Sequence, residues 1–166
     1  MPPLVLRDDE MIQDYEIRKL TEADVPPFDL LLLADETRAA IEKYIHVSDA
    51  FVVYTAGTAH PIAVFVLNRL NDKEIELKNI AVAEKYQGIG LGSWLLKAIR
   101  LLARAMGYRY LWVGTADAGY RQHRFYERNG FVPSGIRENF FIENYLEPIY
   151  ENGVRLKDMM LFKTTL

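Results

Sequence analysis

The sequence predicts one α/β (α+β) domain, in which about four helices flank a mixed sheet of about seven strands. Three observations lead to this prediction. Strand-like and helix-like apolar patterns alternate along the chain, a glycine-rich segment joins a strand to a long amphipathic helix, and no linker or repeat interrupts the order. Residues 1–14, where prolines and charges break any periodicity, are predicted to form an N-terminal extension, and residues 15–166 the domain.

The first half of the chain is predicted to hold four strands and two helices. In order they are a strand at 15–20, helices at 22–34 and 37–46, and strands at 50–54, 62–67 and 74–82. Thr21 is the predicted N-cap of the first helix, because Glu22 and Asp24 place negative charge in its first turn. The run from Ile62 to Leu67 is almost entirely apolar, which is typical of a strand buried on both faces.

The second half is organised around the glycine-rich segment 87–92, which opens a long helix that ends at Gly107. The predicted elements that follow are a strand at 110–113, a helix at 119–129, a strand from Phe131-Val132 and a closing strand at 156–164. Asn152-Gly153 predicts a hairpin turn before that last strand.

Composition argues against several classes of function. The net charge is −3, and no cluster of Lys or Arg forms the basic face that a nucleic-acid binder needs. The chain has no cysteine, and its three histidines lack the pairing expected of a metal site. No apolar run approaches the roughly 20 residues that span a bilayer, and no signal peptide is recognisable, so we expect a cytoplasmic protein without membrane partners.

The segment from Ile80 to Ser93 carries the strongest chemical signal, because a strand runs into glycines and the glycines run into a helix. Amides at a helix N-terminus have no intrahelical acceptors, and the helix dipole adds partial positive charge there. Glycines let an anion approach the backbone closely. Such a turn is typical of a phosphate or pyrophosphate site. The alternative is a turn that only packs the helix against the strand.

Two other phosphate-binding patterns fit this segment poorly. A Walker loop requires a lysine after its last glycine, where Ser93 stands. The dinucleotide-binding pattern requires a third glycine where Ser93 or Leu95 stands, and it normally follows the first strand of the fold.

Gln87-Gly88-Ile89-Gly90-Leu91-Gly92 instead resembles the pyrophosphate loop of the GNAT superfamily of acetyl-CoA-dependent N-acetyltransferases. Downstream, Phe125-Tyr126-Glu127-Arg128-Asn129-Gly130-Phe131 resembles the second GNAT signature, in which a helix presents a tyrosine toward the cofactor sulfur. The resemblance covers residues 15–165 and is densest over 76–131. It implies a GNAT-like fold with a mostly antiparallel sheet, and the tail over 140–153 resembles that of a bacterial subgroup.

The resemblance implies acetyl-CoA as cosubstrate. The residues expected to bind it are Ile80, Ala81, Val82, Gln87, Gly88, Ile89, Gly90, Leu91, Gly92, Ser93, Asp117 and Gln122. Ile80 and Val82 are expected to offer backbone groups to the pantetheine arm, and residues 87–93 to surround the pyrophosphate. Many members carry an asparagine ahead of the tyrosine, whereas residues 115–122 contain none, so Asp117 or Gln122 is expected to replace it.

Two residues are candidates for catalysis. An alkylamine with a pKa of about 10.4 is protonated at neutral pH, so a base assists its attack, and the departing thiolate gains from a proton donor. The resemblance implies Tyr126 as the general acid, with packing beside Phe125 as the alternative. Glu76 is the candidate base or water relay. The alternatives are a solvated strand carboxylate, or His123 as the base.

The expected acceptor is a primary amine of a small molecule or peptide, which attacks the thioester directly in a ternary complex. Acidic and aromatic residues over 138–151 are candidates to line a cationic pocket, with a surface loop or dimer contact as the alternative. Asp35, Glu36 and Thr37 either border the same cleft or cap a helix. An apolar tail is compatible with a homodimer. Competing functions are a non-catalytic acyl-CoA-binding sensor on the same fold and an unrelated nucleotide-binding domain.

Overall fold

The computed structural model describes residues 4–8 and 13–166, with side chains from residue 14 onward. The described residues form two compact units, each built from two stretches of the chain. The first comprises Met1–Asn68 and Lys78–Leu101, and the second comprises Arg69–Leu77 and Leu102–Leu166. A single domain over residues 15–166, after an extension over 1–14, stays a prediction.

The first unit holds the N-terminal strands and helices. Its elements are β1 (Leu4–Asp8), β2 (Gln13–Lys19), α1 (Phe28–Leu31), α2 (Arg38–Ile45), β3 (Asp49–Thr55) and most of β4 (Ala63–Arg69). Two elements cross from one unit to the other: β5 (Glu74–Val82) enters the first unit at Lys78, and α3 (Leu91–Ala105) leaves it after Leu101.

The first predicted helix, at 22–34, is largely wrong, because only the short helix α1 forms within it. Pro26 and Pro27 lack N–H donors, and each disfavours helical backbone in the residue before it. Thr21 does not cap α1. Its backbone N–H and its hydroxyl donate to Oδ2 of Asp24 at 2.8 and 2.9 Å, which closes a turn instead. Helix α2 matches its prediction, and Thr37 is its N-cap.

The second unit holds the C-terminal elements. They are β6 (Tyr110–Ala116), α4 (Tyr120–Arg128), β7 (Val132–Arg137), α5 (Phe140–Asn144), β8 (Tyr150–Glu151), β9 (Val154–Arg155) and β10 (Met159–Thr165). The hairpin of β8 and β9 turns at Asn152 and Gly153, whose φ angles of 52° and 74° fit the predicted two-residue turn. Helix α5 was not predicted, since its 5 residues are too few to show a helical period.

The hydrogen-bonded strand order is β1-β2-β3-β4-β5 in the first unit and β5-β6-β10-β7 in the second. Strands β5 and β6 are parallel, and the pairs β1–β2, β2–β3, β3–β4, β6–β10 and β10–β7 are antiparallel. Within the described residues the sheet has eight strands, of which β1 lies in the segment predicted as an extension. The predicted mixed, mostly antiparallel α/β fold is therefore confirmed.

The first unit buries an apolar core between helices α1 and α2 and one face of β3, β4 and β5. Leu31, Ile41 and Val64 are fully enclosed in it, and each such side chain contributes about 1.5–3 kcal/mol through burial. Asn79 of β5 enters this core and donates to the carbonyl of Leu31 at 3.0 Å and to the hydroxyl of Tyr44 at 3.1 Å. These bonds tie β5 to both helices.

Candidate active site

The glycine-rich turn connects β5 to α3 in the first unit. Gly88 and Gly90 have φ angles of 76° and 89°, in the left-handed region where side chains are strained. A Cβ placed on Gly88 would meet no atom within 4 Å, so the turn is open above its backbone. Gly88 therefore lets another molecule reach the peptide groups.

Helix α3 begins directly after these glycines. Its first intrahelical hydrogen bond runs from Trp94 N–H to the Gly90 carbonyl, at 3.1 Å. The amides of Leu91 and Gly92 therefore lie in the first turn, where no carbonyl of the same helix is within reach. The residues before them, 87–90, are exposed. Together with the helix dipole, this gives a positively polarised turn.

Gln87 fastens the turn to the end of β5. Its side-chain amide donates to the carbonyl of Val82 at 2.8 Å. Ala83 N–H donates to the carbonyl of Ile62, also at 2.8 Å, which ties the start of the turn to the segment before β4. Gln87 thus takes one of the two lone pairs of the Val82 carbonyl, and the role of Val82 as a source of backbone groups stays a prediction.

The second half of β5 presents alternating surfaces. Ala81 is buried in the core beneath α1 and α2, whereas Ile80 and Val82 are half-buried. The alternation of side chains between the two faces is interrupted just before Ile80, because two consecutive residues contact the same ring. Lys78 Nζ lies 5.4 Å from the centre of the Tyr44 ring, and Asn79 donates to the hydroxyl of that ring. On a regular strand consecutive side chains point to opposite faces.

Tyr126 is placed by the end of α4 in the second unit. Phe131 N–H donates to the Tyr126 carbonyl at 3.0 Å and Gly130 N–H to the Glu127 carbonyl at 3.1 Å, which is the Schellman pattern. Gly130 supplies the left-handed residue that this pattern needs, with φ 86°. The motif also brings the ring of Phe131 against that of Tyr126, with centroids 5.5 Å apart.

The ring of Tyr126 is enclosed by other aromatic side chains. Its ring lies 5.3 Å from Phe125 and 6.3 Å from Phe162, and only 6% of the residue is exposed. Burial raises the pKa of Tyr126 well above its ordinary value, so the hydroxyl stays protonated at neutral pH. Within residues 14–166 its hydroxyl makes no hydrogen bond, and its oxygen is not one of the fully buried polar atoms that lack a partner, so the oxygen is within reach of solvent. It is a donor available to an incoming group.

Glu76 lies on β5 and is buried, with 3% exposure. Its Oε1 is 3.5 Å from Nη1 of Arg137, the last residue of β7. A buried carboxylate needs a compensating charge, and Arg137 supplies one. Glu74, two residues earlier, is different: hydrogen bonds from Asn71 and then Trp112 lower the pKa of its carboxyl. The two strand carboxylates therefore have distinct environments.

Glu76 and Tyr126 lie on opposite faces of the sheet in the second unit. Glu76 is in parallel register with Trp112, and the next pair is Leu77 with Val113. The ring of Tyr126 packs against Phe162, which pairs with Val113 on the other face. The structure thus does not bring the two candidate catalytic side chains together on one surface.

The carboxylate of Asp117 is hydrogen-bonded to neighbouring backbone N–H groups. Its carboxylate accepts N–H groups of Ala118 at 3.1 Å and Asp158 at 3.1 Å, which holds the segment leading into β10. Gln122 is exposed on the first turn of α4. His123 places Nε2 2.8 Å from the carbonyl of Ala116, at the end of β6.

The residues considered for the acceptor have structural partners of their own. Thr37 caps α2, and Asp35 accepts a hydrogen bond from the Tyr44 hydroxyl at 3.1 Å, so the capping interpretation describes this region. In the C-terminal segment Phe141 is buried and stacks on Tyr145, with centroids 5.6 Å apart. The acidic residues Glu138, Glu143 and Glu147 are exposed.

Arg137 is the functional candidate that sequence reasoning missed. It closes a short strand, and nothing near it in the sequence suggests a partner 61 residues away. Only the strand order, with β10 and β6 between β7 and β5, places it on the face of Glu76.

Over residues 4–8 and 13–166, no helix is long and apolar enough to span a membrane.

Comparisons with known proteins agree with this geometry. Residues 14–131 match the model of the Acetyltransferase (GNAT) family. The chain is 33% identical over 150 residues to the uncharacterized N-acetyltransferase YvbK of Bacillus subtilis, covering 90% of this chain and 95% of the relative. An uncharacterized N-acetyltransferase of Mycobacterium bovis and one of Mycobacterium tuberculosis are each 29% identical over 72 residues, which is 43% of this chain and 46% of each relative.

Two solved structures are similar throughout. A GNAT family acetyltransferase from Elizabethkingia anophelis with acetyl-CoA bound is 38% identical, with a TM-score of 0.85 over 92% of this chain and 98% of that one. A Bacillus subtilis acetyltransferase in complex with CoA is 30% identical, with a TM-score of 0.80 over 90% of this chain and 97% of that one.

Proposed function

Because the chain belongs to the acetyltransferase (GNAT) family, we propose that it transfers an acetyl group from acetyl-CoA to a primary amine of a small molecule or peptide. The observation that carries the proposal is the open, positively polarised turn at Gly88 and Gly90, which leads into α3. Anions bind at such helix starts. The relatives with acetyl-CoA or CoA bound support coenzyme A as the source of that anion.

The proposed cofactor contacts follow from the first unit. The amides of residues 88–93 receive the pyrophosphate, while Gln87 holds the turn in shape through Val82. The pantetheine arm, which resembles a peptide, pairs with backbone groups of Ile80 and with the N–H of Val82. Ala81 contributes through its peptide group, since its side chain is committed to the core.

The proposed reaction is a direct attack within a ternary complex. The amine nitrogen forms a bond to the thioester carbonyl carbon, the carbon–sulfur bond breaks, and CoA leaves as a thiolate. Glu76 first takes one proton from the substrate ammonium, directly or through water, which frees the nitrogen lone pair for attack. The second proton leaves the nitrogen as the carbon–sulfur bond breaks and passes through water to the thiolate. Tyr126, on the other face of the sheet from Glu76, donates a hydrogen bond to the departing sulfur, so the two side chains are proposed to approach the thioester from opposite sides. Burial raises the pKa of Tyr126, so its hydroxyl holds its proton firmly. It is therefore proposed to donate a hydrogen bond to the thiolate and not to transfer the proton completely.

The role of Asp117 follows from its contacts. Because its carboxylate accepts N–H groups around Asp158, we propose that it shapes the start of β10. Exposed Gln122 is then the better replacement for the missing asparagine. Both residues stay candidates for cofactor binding.

An acceptor screen tests the function. We expect thiol release from acetyl-CoA that depends on an amine, measured over polyamines, aminoglycosides, amino acids and peptide N-termini. Binding of acetyl-CoA by calorimetry without thiol release for any of these amines would contradict catalysis and favour an acyl-CoA sensor. Stabilisation by NAD or ATP but not by CoA would contradict both.

The proposed base makes a separate prediction. Glu76→Gln should make the acidic limb of the kcat/KM profile against pH less steep, because only the proton of the substrate ammonium then remains to be lost. Glu74→Gln is the matched control on the same strand, since its carboxylate is bound to Asn71 and Trp112. An acidic limb as steep in Glu76→Gln as in the wild type would exclude Glu76.

A further inference from the structure

We infer that Arg137 recognises a carboxylate on the acceptor, so that the acceptor is an α-amino acid or a similar molecule with a carboxylate near its amine. This inference rests on the proposed function and names its substrate class. The contacts that carry it all lie in the second unit.

The side chain of Arg137 runs from the edge strand β7 toward β5. Two strands, β6 and β10, separate β7 from β5, and neighbouring strands are about 4.8 Å apart. The contact with Glu76 therefore requires the Arg137 side chain to extend across that face. Small residues on β6 allow this, since Gly114 and Ala116 lie on the Trp112 face.

One end of the guanidinium is fixed. Nη1 contacts Oε1 of Glu76 at 3.5 Å and Sδ of Met159 at 3.9 Å. Met159 in turn lies directly over Gly114, where any Cβ would collide with its sulfur. The ion pair and the thioether thus hold the arginine in one position before a ligand arrives.

The other end of the guanidinium is available. Nε and Nη2 have no hydrogen-bond acceptor anywhere in residues 14–166, and 38% of the Arg137 side chain is exposed. These two groups form the planar fork that matches the two oxygens of a carboxylate. Lys163 is a second cationic residue on this face, and its Nζ lies 5.1 Å from the centre of the Tyr110 ring and 5.0 Å from that of the Trp112 ring.

The ion pair also sets the charge that an acceptor meets. Glu76 and the Nη1 end of Arg137 neutralise each other, so an acceptor carrying only an ammonium gains little from this face. An amino acid supplies a carboxylate to the fork and an ammonium toward Glu76.

Paired acceptors test the inference. The full-length enzyme is assayed with a panel of α-amino acids, each against its own carboxamide, by thiol release at saturating acetyl-CoA. The amine of a carboxamide is the less basic, like a peptide α-amine with a pKa of about 7.7–8.0, so chemistry alone favours the carboxamide. We expect kcat/KM to be at least tenfold higher for the acid of the best pair.

Arg137→Gln should bring that ratio to one or below by reducing kcat/KM for the acid, and Arg137→Lys should restore part of it. Arg155→Gln, at an exposed arginine of β9, is the matched control and should leave the ratio unchanged. A wild-type ratio of one or below, or the same ratio in Arg137→Gln, would overturn the inference even if amines are acetylated.

Direct binding separates this inference from the proposed function. Titration calorimetry of the CoA-saturated enzyme with the same acids and carboxamides needs no turnover. Binding of an acid that is lost in Arg137→Gln supports the carboxylate site even without thiol release. Equal binding of acid and carboxamide by the wild type counts against it.

Discussion

The hydroxyl of Tyr126 combines two properties that packing alone does not require. Its ring is enclosed by Phe125, Phe131 and Phe162, yet no residue from 14 to 166 accepts or donates a hydrogen bond at its oxygen. The oxygen itself is not one of the fully buried polar atoms that lack a partner, so it lies at the edge of this aromatic cluster. Phenylalanine would pack in the same way, and the role proposed for the hydroxyl is therefore one outside folding.

Tyr126→Phe should lower kcat at least tenfold, because the departing sulfur loses its hydrogen-bond donor. Stopped assays of thiol release give kcat, and calorimetry gives the affinity for acetyl-CoA, which should change little. Thermal stability should be equal or slightly higher. Unaltered kcat would show that Tyr126 only packs.

At the same scale, local patterns predicted some residues and not others. Gly88, Gly90 and Tyr126 could be identified because the turn and the helix end that position them are encoded by neighbours in the sequence. Arg137 could not, since its contact with Glu76 depends on the order of β5, β6, β10 and β7. Pairing between distant strands leaves no mark near either residue.

Among the elements, the turn between β5 and α3 depends on backbone that only glycine adopts without strain. Gly88 shares this property with Gly57, in the turn after β3, whose φ is 79°. A Cβ on either residue would meet no atom within 4 Å. The two glycines thus have the same backbone conformation and the same room for a Cβ. They differ in that a cofactor is proposed to bind at Gly88 and not at Gly57.

Gly88→Ala should raise the KM for acetyl-CoA at least tenfold, because the methyl group occupies the space proposed for the pyrophosphate. Gly57→Ala is the matched control. Each variant should lose about 1–2 kcal/mol of stability from the left-handed backbone, while Gly57→Ala keeps the wild-type KM. Steady-state kinetics with thermal melts checks both. Equal KM values in the two variants would count against the cofactor turn.

Elements were predicted well where a single signal decides them. The glycines after α3 and α4 ended both helices, as Gly107 and Gly130 show by φ angles of 95° and 86°. The helix predicted over 22–34 is largely wrong because Pro26 and Pro27 disfavour helical backbone in spite of the apolar spacing. Helix α5 begins at Phe140, after the N-cap residue Asn139 with its left-handed φ of 58°, and its 5 residues are too few to show a helical period.

For the whole molecule, buried tyrosines link stability to alkaline pH. Burial raises the pKa values of Tyr44 and Tyr126 in the folded state, above the value of about 10 for an exposed tyrosine. Their contribution is complete below pH of about 10, where both states hold the proton. Above it the unfolded chain loses protons that the folded chain keeps, so stability falls as pH rises toward the folded values.

Urea unfolding at several pH values above about 10 should therefore show a smaller decline in Tyr44→Phe and in Tyr126→Phe than in the wild type. The difference should approach about 1.4 kcal/mol per pH unit for each tyrosine. Tyr150→Phe, at a largely exposed ring, is the control and should keep the wild-type slope. Identical slopes in all four proteins would contradict the linkage.

The course of β5 through both compact units has a consequence for synthesis on the ribosome. Glu74–Leu77 finds its parallel partner only in Tyr110–Val113, which emerges after the whole of α3. Until then the nascent chain carries Ile75 and Leu77, nearly inaccessible in the finished protein, on a strand with one side unpaired. Open strand edges recruit other chains. A pause after Leu77 has left the ribosome and before Tyr110–Val113 has emerged would therefore create an aggregation-prone intermediate, and a chaperone that shields strand edges would protect it.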